Sequence, residues 1–336
     1  MNATEKLNIA IDAVAAACRV TRLVQGALGT LRHHAKADLS PVTVADYAAQ
    51  AIICRRLADG LGGLTLTGEE DTGTLRELDH AALREAVTHA VNHAWPGASS
   101  AEVLDAIDLG NHDASAGSYW TLDPIDGTKG FLRNGQYAIS LALIERGEVV
   151  MGVLGCPNLS ADFNRSFDDP DPRGTLFHAV RGGGSWCVSA DQPFGHARRL
   201  DTSRNEEVSA LRVCESVESG HSKLDDSARI VEYLGVTAPP VRLDSQCKYA
   251  VVARGQADAY LRLPTRRDYV EKIWDHAAGV LIAGEAGAVV TDVTGKALDF
   301  GRGVGLSANS GVICTTRAHH PRIRHAIDAL GLFKAT

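Results

Sequence analysis

The stretch WTLDPIDGT, residues 120–128, determines how the rest of the sequence is interpreted. An apolar run that ends at Leu122 is typical of a strand entering a core, and Pro124 excludes the helical conformation for Asp123. Asp126 follows in a tight turn. Two carboxylates this close cannot both stay ionised in a partly buried turn unless a cation or a proton lies between them. We expect a cation, because it is the simpler of the two explanations.

The candidate ligands in this turn are all oxygen atoms, which favours Mg²⁺, Mn²⁺ or Ca²⁺ over zinc. One turn rarely fills the shell of such an ion, so we expect further carboxylates from other segments. GEED supplies Glu69 and Glu70 after a strand-like run, and KIWDHAAG supplies Asp275 at the head of a helix. Two ions that share one aspartate would activate water and stabilise a leaving oxygen, and a helix N-terminus attracts phosphate. Both features favour metal-assisted phosphate chemistry.

Each of these motifs also has a purely structural interpretation. Asp-Pro and Asp-Gly are common turn dipeptides, an isolated Asp275 is most often a helix N-cap, and GEED by itself is a solvated loop. The combination of all three motifs in one chain is what favours a metal site.

Composition excludes several classes of protein. With 336 residues, 45% of them hydrophobic and 22% charged, the chain has the balance of an ordinary globular protein. Its formal charge is -7 and its basic residues are scattered, so we expect no nucleic acid partner. Seven cysteines without a CxxC pair fit neither a disulfide framework nor a zinc knuckle and indicate a reducing compartment. No apolar stretch is long enough for a bilayer and no export signal is recognisable, so we expect a cytoplasmic protein without a membrane partner.

The N-terminal part of the sequence is helical before it becomes strand-like. Apolar spacing predicts helices over residues 8–28 and 44–59, with Thr43 as the cap of the second. Another helical stretch is predicted over residues 75–94. The polar segment from Pro96 to Ser118 is interpreted as a long surface loop.

The remainder of the chain predicts two kinds of sheet. Two apolar runs joined at Glu145 to Glu148 predict a hairpin, which later runs extend into an antiparallel sheet. From about Leu211 onward, short strands alternate with helices, which indicates a layered α/β lobe. We therefore expect an N-terminal α+β lobe over residues 1–205 and a C-terminal α/β lobe over residues 206–336, with the site between them.

At these motifs the chain resembles the lithium-sensitive, Mg²⁺-dependent phosphatase superfamily that includes the inositol monophosphatases and the 3'(2'),5'-bisphosphate nucleotidases. DPIDGT, an upstream GEE and a downstream WDHAAG are the three metal motifs of that superfamily, in its order. The continuation KGFLRNGQYAISLALI and the segment LDSQCKYAVVARGQADAYLRL resemble the nucleotidases more than the inositol monophosphatases. The likeness extends from SPVTVADYAAQ to ANSGVICTT, and it implies the layered αβαβα sandwich of the inositol monophosphatase and fructose-1,6-bisphosphatase type.

The resemblance implies roles for the acidic residues and their neighbours. Asp46 and Thr128 would hydrogen-bond each other and orient the attacking water, with the hydroxyl relaying a proton to the carboxylate. The magnesium ions, two or three of them, would be held by the carboxylates and one backbone carbonyl, with Asp123 bridging: Glu69, Asp123, Asp126, Asp275 and Ile125. Mn²⁺ is a possible substitute and Li⁺ an expected inhibitor.

The resemblance also implies the substrate contacts. The N–H groups of Gly127 and Thr128 would receive the scissile phosphate. A substrate with two phosphates needs a second cationic subsite away from the magnesium ions, which Lys248 and Arg262 can provide. Ser245 and His221 would contact the nucleotide on the adenosine and 5'-phosphate side, together with those two cations.

The function implied is hydrolysis of the 3'-phosphate of adenosine 3',5'-bisphosphate to AMP and phosphate, with phosphoadenosine phosphosulfate as a second substrate. The partner is then a small nucleotide bisphosphate, bound by a monomer or a homodimer. Two alternatives stay open. The metal site alone does not distinguish this enzyme from an inositol mono- or polyphosphate phosphatase, and a catalytically silent nucleotide sensor would bind the same ligand without turnover.

Overall fold

The computed structural model describes residues 1–27, 41–217, 224–264, 266 and 269–333, although not the side chains of residues 41, 42, 224 and 225. Two sheets with helices packed against them form the described structure. None of the described helices combines the length and the apolar character needed to cross a membrane.

Two long helices open the described chain. Helix α1 (Ala3–Gly26) begins earlier than predicted, because Asn2 and Glu5 form a capping box. Helix α2 (Pro41–Leu61) packs along α1. The prediction of Thr43 as a cap is wrong, because the helix begins at Pro41 and Thr43 lies inside its first turn.

The next helical segment is divided into short pieces. The single helix predicted over residues 75–94 is instead α3 (Gly73–Arg76), a 3₁₀ turn (Leu78–His80) and α4 (Ala81–Asn92). Glu77 causes the break, because its backbone is extended (φ -67°, ψ 143°) between α3 and the 3₁₀ turn.

The loop predicted from Pro96 to Ser118 contains a helix, so that prediction is wrong. Helix α5 (Ser100–Asp108) begins at a capping box formed by Ser99 and Glu102. Val103 and Ile107 of α5 are buried in a core that they share with α2 and α4. The polar residues around this helix are therefore its caps and its solvent face.

Seven strands form the first sheet, in chain order. They are β1 (Leu66–Gly68), β2 (Ser118–Asp126), β3 (Ala138–Glu145), β4 (Glu148–Cys156), β5 (Thr175–Val180), β6 (Ser185–Ser189) and β7 (Arg198–Arg199). Strand β1 pairs parallel to β2, and all the other pairs are antiparallel. The predicted hairpin is confirmed as β3–β4, with positive φ at Arg146 (54°) and Gly147 (79°) in the two-residue turn. Helix α6 (Thr128–Leu132) follows β2.

The second sheet has five strands. In the order in which they lie in the sheet, they begin with the strand at Ala288–Thr291, followed by those at Val312–Thr316, Ala259–Arg262, Val213–Glu215 and Val241–Arg242. The strands are β8 (Val213–Glu215), β9 (Val241–Arg242), β10 (Ala259–Arg262), β11 (Ala288–Thr291) and β12 (Val312–Thr316). Between and after them come α7 (Leu224–Tyr233), α8 (Cys247–Ala253), α9 (Ala277–Glu285) and α10 (His320–Ala329). The predicted alternation of short strands and helices is confirmed in this half.

Helix α9 joins the two sheets. Gly152 of β4 lets it approach closely, because a Cβ at Gly152 would lie 3.1 Å from Ala278 Cα. A single hydrophobic cluster contains residues of both sheets, for example Phe177 and Tyr260. The boundary expected near residue 205 falls between β7 and β8, and the division into lobes 1–205 and 206–336 stays a proposal.

Candidate active site

One cavity of about 370 Å³ brings together most of the residues singled out in the sequence. Those that line it are Glu69, Asp123, Ile125, Asp126, Gly127, Thr128, Ser245, Lys248, Arg262 and Asp275. Asp46 lies on α2, where it interacts electrostatically with Glu69, Glu70 and Asp123. His221 lies outside the described residues.

Strands β1 and β2 place the first two carboxylates side by side. The strands run parallel, and the Glu69 N–H donates to the Leu122 carbonyl at 3.2 Å. Glu69, which follows β1, therefore lies beside Asp123 of β2. The pairing of β2 with β3 shifts register between Asp123 and Asp126, because Pro124 has no N–H for the ladder. This irregularity directs both aspartates towards the cavity they line.

Gly127 ends β2 in a conformation that few other residues tolerate. Its φ is +88°, and a Cβ at this position would lie 2.7 Å from Ser245 Cβ. The close approach joins the turn to the segment before α8, where the Gln246 N–H donates to Asp126 Oδ2. An ion pair between Arg133 and Asp244 connects the same two segments.

Gln246 is a structural member of the site that sequence reasoning missed. Its side chain is buried, donates to the Trp274 carbonyl at 2.8 Å and accepts from the Gly279 N–H at 3.2 Å. Gln246 therefore connects the turn that holds Asp126 with the start of α9, next to Asp275. Its position between Ser245 and Lys248 is the sequence signal that could have found it.

The carboxylates of the cavity raise one another's pKa values. Asp123 is 2% exposed, and burial followed by the Glu69 charge raises its pKa well above the usual range. Glu69 faces the cavity, but loss of hydration there and the charges of Asp275 and Glu70 raise its pKa to about 7. Without a cation nearby, Asp123 and Glu69 therefore keep their protons to a higher pH than ordinary carboxyl groups do.

The other acidic groups behave in the same way. Burial, with the Asp126 charge adding to it and His276 opposing it, raises the pKa of Asp275 to about 6. Burial raises the pKa of Asp126 against the effects of Lys248 and the Gln246 N–H. Burial followed by the charges of the neighbouring glutamates raises the pKa of Asp46 well above its usual range.

The carboxylate oxygens of the cavity fit a hard divalent cation. Asp123 accepts a hydrogen bond from the Ile125 N–H at 3.1 Å and forms no ion pair with a described lysine or arginine. Its negative charge is thus poorly compensated by the part of the protein that is described. All the donors are oxygens, which Mg²⁺ prefers.

A tighter acidic group lies beside these donors. It consists of Glu271, Asp275 and His276, whose possible ligand atoms all lie within 4.8 Å of one another. Among the described residues, this is the group of three that meets that distance. Arg262 already pairs with Glu271 at 2.9 Å, so a guanidinium occupies the place of a cation there. The joint ligand role of Glu69, Asp123, Asp126 and Asp275 stays a prediction.

The water-positioning pair also stays a prediction. Thr128 is the first residue of α6 and is exposed at the cavity. Asp46 is partly buried on α2. No hydrogen bond between the two side chains is present in the described structure.

Two cations face the acidic side of the cavity. Lys248 is 4% exposed, with its Nζ 3.4 Å from both Ser216 Oγ and the Leu243 carbonyl. Its Nζ lies 5.2 Å from the centre of the Tyr260 ring. Burial lowers its pKa, and the charges of Asp126 and Asp244 oppose that effect. Together with Arg262 it makes this wall of the cavity suitable for an anion.

Mg²⁺ is expected to raise the thermal midpoint of the protein more at about pH 8 than at about pH 5.5. Carboxyls with raised pKa values, such as Glu69 and Asp275, hold protons in the folded chain that the unfolded chain has lost. The stability of the ion-free chain therefore falls as pH rises from about 4 to about 7. An ion that replaces those protons restores stability most at high pH. Thermal unfolding with and without millimolar Mg²⁺ tests this, and an equal gain at both pH values would contradict it.

Known proteins are similar to this chain over most of its length. The model of the inositol monophosphatase family matches residues 4–331. A 3'(2'),5'-bisphosphate nucleotidase of Schizosaccharomyces pombe is 43% identical, over 88% of this chain and 86% of the relative. The 3',5'-bisphosphate nucleotidase 2 of Arabidopsis thaliana is 40% identical, over 97% of each. The Thermotoga maritima IMPase structure has a TM-score of 0.62 at 19% identity, over 97% of each chain, which confirms the predicted fold class.

Proposed function

The chain belongs to the inositol monophosphatase family, and on that premise we propose that it hydrolyses the 3'-phosphate of adenosine 3',5'-bisphosphate to AMP and phosphate. One observation supports a bisphosphate rather than a monophosphate as the substrate. Two cations, the buried Lys248 and the partly buried Arg262, line the same cavity as the carboxylates. A bisphosphate can place one phosphate at the carboxylate side and the other at these cations, whereas an inositol monophosphate needs no second cationic subsite.

Members of this family are metal-dependent. We propose two or three Mg²⁺ ions, with Mn²⁺ as a substitute, held by the carboxylates of the cavity and one carbonyl: Glu69, Asp123, Asp126, Asp275 and Ile125. When bound, such ions neutralise phosphate charge and lower the pKa of water.

The chain's own groups then orient the reactants. The Asp46 carboxylate accepts a proton that Thr128 Oγ1 relays from the attacking water, and the N–H groups of Gly127 and Thr128 hold the phosphate in line with that water. Ser245 lies beside Gly127 and is proposed to contact the nucleotide on its adenosine and 5'-phosphate side. His221 is proposed as a further contact on the same side.

Phosphoadenosine phosphosulfate is the proposed second substrate. It carries the same 3'-phosphate, and its 5' end is also anionic. The contacts that Lys248 and Arg262 make with a 5'-phosphate would serve this compound as well, giving adenosine phosphosulfate.

Phosphate release from a panel of substrates tests the proposal. We expect turnover of adenosine 3',5'-bisphosphate, its 2',5' isomer and phosphoadenosine phosphosulfate, and little turnover of inositol 1-phosphate. Activity on inositol 1-phosphate alone would establish the inositol phosphatase alternative instead. Tight binding of the nucleotide without any phosphate release would establish the silent sensor.

Li⁺ is expected to inhibit turnover at millimolar concentration. The reason is that a weakly held Mg²⁺ site made of carboxylate oxygens also accepts a small monovalent cation. Initial rates in LiCl, with NaCl and KCl at the same ionic strength as controls, measure the effect. Equal rates in all three salts would contradict the expectation.

A further inference from the structure

Arg262, at the end of β10, is held by a network of buried side chains that the proposed mechanism does not use. Its Nε donates to both carboxylate oxygens of Glu271, at 3.0 and 3.1 Å, and its Nη2 lies 2.9 Å from Glu271 Oε2. His276 Nε2 lies 3.3 Å from the same Oε2, and His276 Nδ1 lies 2.8 Å from the Tyr249 hydroxyl. Glu271 is 5% exposed, and His276 and Tyr249 are fully buried.

These contacts fix the orientation of Glu271. One neutral tautomer of His276 satisfies both of its neighbours: Nδ1 accepts from the Tyr249 hydroxyl, and Nε2–H donates to Glu271. The backbone around Glu271 is also tied down, because its carbonyl accepts from the Leu306 N–H at 2.8 Å. The Glu271 carboxylate is therefore held in one position, and its hydrogen bonds orient the Arg262 guanidinium.

The pairing uses one edge of the guanidinium. Glu271 takes the edge formed by Nε and Nη2, Nη2 also lies 3.7 Å from Asp275 Oδ2, and Nη1 makes none of these contacts. A guanidinium is planar, so fixing one edge also fixes the direction of the other. Arg262 is 18% exposed and lines the cavity, where its second edge can bind two oxygens of a phosphate.

We propose that Glu271, oriented by His276, is a positioning residue that holds the Arg262 guanidinium for the phosphate that is not hydrolysed. Glu271 thereby strengthens the preference for bisphosphates over monophosphates. This inference rests on the proposed function, because it assigns Arg262 to the second phosphate. It gives Glu271 a role in specificity that differs from simple charge neutralisation and from metal ligation.

Two variants of Glu271 test the proposal. Glu271→Ala removes the carboxylate, whereas Glu271→Gln keeps the shape and one acceptor oxygen. For adenosine 3',5'-bisphosphate we expect KM to rise about 30-fold in the alanine variant and about 5-fold in the glutamine variant, with kcat within about 2-fold. For adenosine 3'-monophosphate, which lacks the second phosphate, the change in kcat/KM is expected to be much smaller.

A matched control is available in a second ion pair, whose carboxylate is buried. Asp258 is fully buried and binds Arg212 through Nη2 at 2.9 Å and Nε at 3.0 Å, and neither residue lines the cavity. Asp258→Asn is expected to lower the thermal midpoint without changing the ratio of kcat/KM for the two substrates.

Three results would overturn the inference. A lower KM in both Glu271 variants would make Glu271 only a neutraliser of Arg262. An equal loss on both substrates would make its role structural. A higher Mg²⁺ requirement would make it a partner of Asp275 in metal binding. If the wild-type protein hydrolyses no nucleotide bisphosphate, the proposed function fails as well. If the wild-type protein prefers the bisphosphate and both Glu271 variants keep that preference, this inference alone is refuted.

Discussion

Asp123→Asn is expected to lower kcat/KM by about 10³-fold or more and, at the same time, to stabilise the ion-free protein. Asp123 is 2% exposed, less than the other carboxylates proposed as metal ligands, and it is the proposed bridging ligand. Loss of one charge at such a site removes several kcal/mol of transition-state stabilisation, and each ~1.4 kcal/mol is a factor of ten in rate.

The gain in stability has a separate cause. Burial and the charge of Glu69 penalise the ionised form of Asp123, and they raise its pKa well above the usual range. The amide has nearly the same shape and carries no charge, so at about pH 8 the thermal midpoint should rise by about 1–3 °C in the absence of divalent ions. Mg²⁺ should then stabilise the variant less than it stabilises the wild-type protein.

Asp292→Asn is the matched control. Asp292 is 1% exposed, but its Oδ1 accepts hydrogen bonds from the N–H groups of Thr294 and Lys296 at 2.8 and 3.0 Å, and Asp292 does not line the cavity. Asp292→Asn should therefore lower the thermal midpoint and leave kcat/KM unchanged. Asp123→Asn should do the opposite in both respects, raising the midpoint and lowering kcat/KM. Steady-state kinetics and thermal unfolding of both variants measure this, and more than a tenth of wild-type activity in Asp123→Asn would disprove the role of Asp123.

The acidic part of the site could be predicted because its chemistry is local in sequence. Asp123 and Asp126 lie three residues apart around Pro124, and two carboxylates this close predict a cation or a proton between them. Strand and hairpin signals were similarly local, and the turn at Arg146 and Gly147 lies between the two apolar runs that predict it. Strand and hairpin signals depend on neighbouring residues, so they can be recognised without knowing the distant contacts of the folded chain.

The errors have physical reasons as well. The capping box of Ser99 and Glu102 outweighs the polar composition that suggested a loop from residue 96 to 118. Gln246 and Glu271 act on partners far away in the sequence or on another element, namely Gly279 and Arg262. The Gln246–Gly279 contact depends on how the segment before α8 packs against α9, and Glu271 reaches Arg262 from the segment between β10 and α9. No local pattern encodes either pairing.

Lys248→Met is expected to lower kcat/KM for adenosine 3',5'-bisphosphate by about 100-fold, and for adenosine 3'-monophosphate far less. Methionine keeps the apolar stem beside Tyr260 and removes only the ammonium group. Lys248 is 4% exposed, so water competes poorly for its charge-assisted bond to a phosphate, and the loss of such a bond costs about 1.5–3 kcal/mol. Most of the effect should appear in KM, because the second phosphate is bound equally in the ground state and the transition state.

The neighbouring surface supplies the control for this variant. Lys272 also lies over an aromatic ring, 5.4 Å from the centre of Trp274, but it is exposed and does not line the cavity. Lys272→Met should leave the kinetics of both substrates close to wild type. Because Lys248 also lies near Asp126, the Mg²⁺ concentration for half-maximal rate must be measured in parallel. If Lys248→Met slows both substrates equally, or raises the Mg²⁺ requirement, the Lys248 ammonium stabilises the carboxylate side of the cavity instead of binding the second phosphate. Either result would favour the inositol phosphatase alternative over the bisphosphate assignment.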